Sequence, residues 1–202
     1  MRPRMIFSPF SFHKLATIFG AALAVASVLS TTVLQSGTTL AGATTAAPRC
    51  TTAQLVVWLD TSGSGAAGSS YYNLEFTNLS AHSCSLIGYP GVSAISVAGQ
   101  QLGSAASHDA EHPAALITLS SGSANAGLDG FQTGNTATVV LQITDASNYP
   151  NATCRRVAAA GLRVYPPNQT ASKLVSFPFV ACSHHGPLVL HVESVQTGVT
   201  TG

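Results

Sequence analysis

After Cys50, apolar and polar side chains alternate with a period of two along several short stretches. The clearest example is residues 72–77, and residues 139–144 repeat the pattern. Such alternation is typical of β-strands that bury one face against a core. Residues 55–59 are apolar at every position, which predicts a strand in the centre of a sheet with both faces covered.

Shorter apolar runs separated by turn signals complete the predicted architecture. Residues 154–160 are the one stretch with helical character, and Gly161 is expected to end it. About eight or nine short strands predict an all-β fold, an antiparallel immunoglobulin-like β-sandwich. Antibody-type domains are excluded, because Trp58 follows Cys50 too closely. The remaining predicted strands are residues 92–97, 116–119, 162–165, 174–179 and 188–195, and the predicted loops are residues 62–70, 99–115 and 122–135, with a turn at residues 88–91.

The chain has 4 cysteines, and all of them lie beyond residue 49. An even number of cysteines in an exported domain predicts two disulfides. A structural zinc site is disfavoured, since no two cysteines have the short spacing of zinc ligands. Three pairings are open, and we favour Cys50–Cys84 with Cys154–Cys182, because these two bridges close sequence-local loops.

The first 43 residues have the features of a secretory leader. A basic start is followed by an uncharged, mostly apolar stretch at residues 15–34 and by the small residues Ala41-Gly42-Ala43. This order predicts a signal peptide cleaved after Ala43. The alternative is an uncleaved anchor, because about 20 apolar residues can span a bilayer. Residues 44–49 are then a short lead-in, residues 50–196 the single domain, and residues 197–202 a C-terminal tail.

The net charge changes sign once the predicted leader is left out. From Thr44 onward the chain has 5 basic and 7 acidic residues, a net charge of −2, although the full chain is at +1. A sequence without a basic patch is a poor partner for a phosphate backbone, so nucleic acid is excluded as a ligand. The many apolar residues and the low net charge also exclude intrinsic disorder.

Histidines supply the candidate metal ligands. His108 and His112 flank two acids in one loop, and a second group contains His184, His185 and His191. Imidazole suits zinc and copper, which makes metal handling the alternative function. The loop lacks the zincin pattern, in which glutamate directly follows the first histidine. We therefore expect solvated surface histidines and no cofactor.

Aromatic residues supply the candidate binding sites. Trp58 and Tyr89 are the two selected, because exposed aromatic rings bind sugars and protein partners well. The competing interpretation is that aromatic rings fill the core, with the Tyr89 ring covering a Cys50–Cys84 bridge. No Gly-x-Ser-x-Gly elbow and no pair of catalytic carboxylates is recognisable, so an enzyme is not expected.

Two motifs carry a family resemblance. They are the strand Leu74-Glu75-Phe76-Thr77-Asn78-Leu79-Ser80 and the turn Cys84-Ser85-Leu86-Ile87-Gly88-Tyr89-Pro90-Gly91-Val92, with a later Leu162-Arg163-Val164-Tyr165-Pro166-Pro167. Together with the cysteine positions, they resemble the actinobacterial domain of unknown function 4232 over roughly residues 50–195. The resemblance implies a secreted or lipid-anchored envelope protein, and it brings no activity and no functional residue.

The sequence therefore predicts an exported protein of the cell envelope or the extracellular space, acting as a non-catalytic binding or structural module. Its partner would be an envelope protein or a glycan, and membrane contact is expected only if the leader is retained. Metal handling is the second hypothesis, and a hydrolase of unrecognised type is the third.

Overall fold

The computed structural model describes residues 46–122 and 134–198. The predicted leader, most of the 122–135 loop and the end of the predicted tail lie outside this part of the chain. In chain order the strands are β1 (Leu55–Ala66), β2 (Ser69–Asn78), β3 (Cys84–Leu86), β4 (Gly91–Ile95), β5 (Gln101–Leu102), β6 (Ser107–His108), β7 (Ile117–Leu119), β8 (Thr136–Thr144), β9 (Arg156–Tyr165), β10 (Lys173–Cys182), β11 (Leu190–Val192) and β12 (Gln196–Thr197).

These strands form two main sheets around one hydrophobic core. The larger sheet has the order β1-β2-β8-β11-β6, with β12 also paired to β8, and the smaller sheet has the order β10-β9-β4-β5. Strands β3 and β7 form a separate pair. Pairing is antiparallel throughout the named strands except between β6 and β11. The all-β prediction is confirmed.

The alternating patterns place the core where the sequence predicted it. In β2 and β8, Leu74, Phe76, Val139 and Leu141 are fully buried, and they pack in the same cluster as Leu162 from the smaller sheet. Their alternating neighbours point to the opposite face of the larger sheet, because successive side chains of a strand point to opposite sides. This outer face of the larger sheet carries most of the polar strand residues.

The predicted central position of residues 55–59 is wrong. Strand β1 pairs only with β2 and forms an edge of the larger sheet. The predicted loop at residues 62–70 is also wrong, since β1 and β2 continue through it as a hairpin. Ala67 and Gly68 make its turn with φ of 50° and 76°. Glycine and serine can extend a strand here because backbone hydrogen bonds, rather than side chains, hold the pair together.

The predicted helical stretch at residues 154–160 is wrong as well. The helix α1 (Asn151–Cys154) ends where Arg155 adopts φ of 48°, and β9 begins at the next residue. Alanines have a good helix propensity, but here the tertiary packing of the sheet overrides it. Gly161 lies inside β9 rather than at a helix end.

Two further boundaries differ from the predictions. The 99–115 loop contains the short strands β5 and β6. The predicted strand at residues 188–195 is reduced to β11, with β12 following it. Backbone pairs of two or three residues leave no periodic signal in a sequence, so these strands are visible only in the structure.

Both disulfides have the favoured pairing. Cys50 bonds to Cys84 and Cys154 bonds to Cys182, and the described residues contain no free cysteine. Such bridges are typical of oxidising compartments outside the cytoplasm. Within the described ranges, no helix has the length and hydrophobicity needed to cross a membrane.

Candidate functional site

A cleft lies between the two main sheets. It has a volume of about 410 Å³ and lies where the ends of β2 and β8 meet the middle of β10. We call it the edge cleft. It is lined by Gly68, Ser69, Ser70, Tyr72, Ile143, Thr144, Asp145, Ala146, Phe177, Pro178, Phe179 and Val180.

Three aromatic rings form the apolar wall of the edge cleft. The Tyr72 and Phe177 rings meet edge to face, with centroids 5.0 Å apart and 67° between their planes. The Phe179 ring lies 6.2 Å from that of Phe177. All three are partly buried against the core. Edge-to-face contact is a favoured aromatic geometry, and it holds the rings in fixed positions.

A bulge in β10 places the two phenylalanines. The pairing of β10 with β9 shifts register between Ser176 and Phe179, so that Phe177 and Pro178 have no partner opposite them. A proline within a strand is tolerated at an edge or a bulge, because it cannot donate a ladder hydrogen bond. Bulges redirect side chains and are over-represented beside functional sites.

Gly161 makes room for this bulge. A Cβ atom at Gly161 would lie 2.2 Å from the carbonyl oxygen of Val175 and 3.1 Å from the amide nitrogen of Phe177. The first distance is far shorter than any normal contact, and both neighbours are backbone atoms that cannot rotate away. The glycine that the sequence analysis assigned to a helix end therefore permits the close approach of β9 to the bulged strand.

The Asp145 carboxylate and the Ser70 hydroxyl form the polar side of the cleft. The Ser69 hydroxyl points to the outer face of the larger sheet, where it accepts from Gln142 Nε2 at 3.0 Å. The Asp145 carboxylate accepts from the backbone N–H of Ser147 at 2.8 Å, and this hydrogen bond holds the pKa of Asp145 below its usual value. The nearby hairpin turn is fixed because Asn148 donates to the Gly68 carbonyl at 3.0 Å.

Sequence reasoning missed the edge cleft. The alternation over residues 72–77 predicts only that Tyr72 shares the inward face of its strand, and residues 174–179 are predicted as an ordinary strand. The one available signal was Pro178 between two phenylalanines, since proline in a strand pattern indicates an edge or a bulge. That β2 and β8 also line the cleft follows from the order of the strands in the sheet, which the sequence pattern does not give.

The predicted binding residues Trp58 and Tyr89 lie elsewhere, and neither lines the edge cleft. The Tyr89 ring stacks on the imidazole of His108, with centroids 4.6 Å apart and 8° between their planes. Trp58 Nε1 donates to Thr77 Oγ1 at 3.1 Å on the outer face of the larger sheet. The structure tests no ligand at either residue, so their binding roles stay predictions.

Three of the five candidate metal ligands lie near the β6–β11 edge. His191 Nδ1 is 2.7 Å from Ser107 Oγ and 3.6 Å from Asp109, and His112 Nδ1 is 3.1 Å from Glu193 Oε2. These are pairs rather than a shared centre. Across residues 46–122 and 134–198, no group of three or more histidine, cysteine, aspartate or glutamate side chains is arranged to hold a metal ion. His184 and His185 lie in the bend that follows Cys182.

The outer face of the larger sheet contains a buried carboxyl group. Glu75 is 1% exposed, directly opposite Trp58 on one side and Thr138 on the other. Burial raises the pKa of Glu75 to about 7, against a lowering by the Thr138 hydrogen bond. The negative charge of Asp60 adds to the increase. Such a group is neutral at mildly acidic pH and ionises around neutrality.

Comparison with known proteins identifies the family of the chain. Residues 50–199 match the model of a family described as Domain of unknown function (DUF4232). No curated protein and no solved structure matches the chain.

Proposed function

Because the chain belongs to the DUF4232 family, whose description assigns no activity, we infer its function from its own residues. We propose that it is an exported, non-catalytic binding module that holds its ligand in the edge cleft. The family match agrees with the resemblance noted in the sequence. The observation that carries the proposal is the aromatic wall of a concave site facing a polar rim.

The shape and lining of the cleft support binding. Ligand sites are concave, have volumes of roughly 300–1,000 Å³, and combine apolar surface with a few polar groups that orient the ligand. The edge cleft, at about 410 Å³, has this composition. Rigid aromatic rings contribute contact area at low entropic cost, which favours recognition.

The same lining supports a role without catalysis. Tyr72 and Asp145 are the titratable residues among those that line the cleft, and histidine, lysine and cysteine are missing from this set. Hydrolysis of a glycosidic bond normally uses two carboxyl groups, and acyl transfer uses a nucleophile beside a base. The described lining offers neither arrangement.

Export is supported by the leader pattern at residues 1–43 and by the two disulfides, which are stable in oxidising compartments. The module would then act in the cell envelope or the extracellular space. Its ligand would come from an envelope protein or a glycan.

Ligand-observed NMR on the oxidised full chain tests the binding role. A fragment library and an extract of the envelope are screened against wild type, Phe179→Ala and Leu174→Ala. Leu174 is 64% exposed on the same strand but outside the cleft, so its variant is the matched control. We expect ligand signals that vanish in Phe179→Ala and persist in Leu174→Ala.

Two results would overturn the proposal. One is a set of ligands that bind equally to all three proteins, which would place the site elsewhere. The other is conversion of a bound ligand into product by the wild-type chain, which would make the protein an enzyme.

A further inference from the structure

We propose that the edge cleft binds a neutral saccharide, whose apolar ring face packs on Phe177 and Phe179 while its hydroxyl groups donate hydrogen bonds to the Asp145 carboxylate and the Ser70 hydroxyl. This inference rests on the proposed function, because it names the ligand class of the same cleft.

The aromatic wall selects a ligand with a flat apolar face. One face of a pyranose ring presents several C–H groups, which carry partial positive charge. The face of an aromatic ring is negative and attracts them. The rings of Phe177 and Phe179 both line the cleft and lie 6.2 Å apart with 32° between their planes, so neither stands edge-on to the other. Two neighbouring rings of this kind can cover one sugar unit or the junction of two.

The rim selects a ligand rich in hydrogen-bond donors. An ionised carboxylate only accepts hydrogen bonds and has about four acceptor positions. Asp145 uses some of this capacity for Ser147 and is otherwise exposed to solvent. The hydroxyl of Ser70, which alternates in β2 with the outward-facing Ser69 and Tyr71, both donates and accepts. Hydroxyl groups on a sugar match this mixture of partners.

The charge of the lining excludes anionic ligands. The cleft contains the Asp145 carboxylate and no lysine, arginine or histidine among its lining residues. A phosphate, a fatty-acid carboxylate or a uronic acid would meet the like charge of Asp145. A cationic ligand would gain little, because the Arg156 guanidinium outside the lining already interacts electrostatically with Asp145. The lining therefore favours a neutral ligand over a charged one.

The backbone of β10 disfavours a peptide that binds by adding a strand. Strand addition needs a row of free N–H and C=O groups along a sheet edge. At the cleft this row is interrupted by the bulge and by Pro178, which has no N–H to donate. Recognition by ring faces and side-chain hydroxyls is consistent with this edge, whereas an extended peptide is not.

The test measures saccharide binding to the oxidised full chain by saturation-transfer NMR and calorimetry. The probes are neutral trisaccharides of glucose, mannose, galactose and N-acetylglucosamine, with trigalacturonic acid as the anionic comparison. Nile red, a neutral apolar dye, reports separately on the aromatic wall. The variants are Phe179→Ala, Asp145→Asn and, as a carboxylate control outside the cleft, Asp60→Asn.

We expect at least one neutral trisaccharide to bind, and trigalacturonic acid not to bind. Phe179→Ala and Asp145→Asn should each weaken binding by roughly tenfold or more, as the loss of a central contact does. Asp60→Asn should leave it unchanged. Thermal unfolding of each variant confirms that a loss of binding is not a loss of fold.

The failures are distinguishable. If Nile red binds wild type but not Phe179→Ala, and no neutral saccharide binds at millimolar concentration, the cleft binds ligands and the saccharide class is wrong. If neither Nile red nor a saccharide depends on Phe179, both this inference and the binding role of the cleft fail.

Discussion

The side chains of Glu75 and Thr138 share a hydrogen bond of 2.7 Å on the outer face of the larger sheet. The Thr138 hydroxyl also contacts the carbonyl oxygen of Gly198, just after β12. Burial raises the pKa of Glu75 to about 7, even though the Thr138 hydroxyl donates to Glu75 Oε2 and this hydrogen bond acts in the opposite direction.

Glu75→Gln should therefore change how stability depends on pH. The pKa of Glu75 rises from 4.5 in the unfolded chain to about 7 in the fold. Because the folded state prefers the protonated form, this contribution is complete below about pH 4.5 and is lost as pH rises through about 7. Ionising the buried group costs about 3 kcal/mol at about 1.4 kcal/mol per pH unit.

Chemical denaturation between about pH 4.5 and pH 8 measures this effect. The wild type should lose about 3 kcal/mol relative to Glu75→Gln over that range, since the glutamine amide oxygen keeps an acceptor for Thr138 and carries no charge. Emission from Trp58, the only tryptophan of the chain, should titrate in wild type and not in the variant. Glu111→Gln changes an exposed glutamate and should follow the wild-type curve. Parallel curves for wild type and Glu75→Gln would contradict the assignment.

Removal of either disulfide should destabilise the fold by a similar amount. The bridges Cys50–Cys84 and Cys154–Cys182 span 34 and 28 residues. The chain-entropy model gives about 3–4 kcal/mol for loops of this size. The double variants Cys50→Ala/Cys84→Ala and Cys154→Ala/Cys182→Ala should therefore show comparable losses of unfolding free energy by urea denaturation. A loss confined to one bridge would show that local strain, rather than loop closure, decides the effect.

The predicted leader gives a direct test of export. If signal peptidase cuts after Ala43, the protein recovered outside the cytoplasm begins at Thr44. N-terminal sequencing of that protein checks the position. Substituting both Ala41 and Ala43 with bulky residues should block cleavage and leave the full-length chain with the membrane fraction. An N-terminus at Met1 on the exported wild type would instead indicate a retained anchor.

The sequence predicts some parts of this fold well for physical reasons. Strands such as β2 and β8 bury one face and expose the other, so Leu74 and Leu141 leave a period-two pattern. Disulfides between sequence-local cysteines follow from short loop closure. In contrast, the apolar run 55–59 predicts a central strand, but these residues lie in the edge strand β1. Val56 is 39% exposed because its face of β1 lies toward solvent.

The edge cleft was beyond the reach of the pattern. It joins residues from β2, β8 and β10, which are distant in sequence, and strand order alone brings them together. The histidines were the more visible feature, because ionisable residues are rare in this chain. Their positions in the structure form pairs with Ser107, Glu193 and Asp109. The histidine pairs therefore lie apart from the edge cleft, and no histidine is among its lining residues.

Gly161→Ala should damage the edge cleft from the far side of the sheet. The new methyl group would overlap the Val175 carbonyl oxygen, which lies 2.2 Å from the Cβ position. Strand β10 must then move away from β9, and the bulge that positions Phe177 and Phe179 moves with it. Overpacking of this kind costs about 1–3 kcal/mol.

Gly65→Ala is the matched control for this change. A Cβ atom there would lie 3.7 Å from the nearest atom, the Ser69 carbonyl oxygen, an ordinary contact distance. Its effect on stability should stay within about 1 kcal/mol. We expect Gly161→Ala alone to lower the melting temperature and to abolish the Nile red signal of the cleft. If Gly161→Ala bound the dye as tightly as Gly65→Ala, the close approach of β9 to the bulge would not be what positions the aromatic wall.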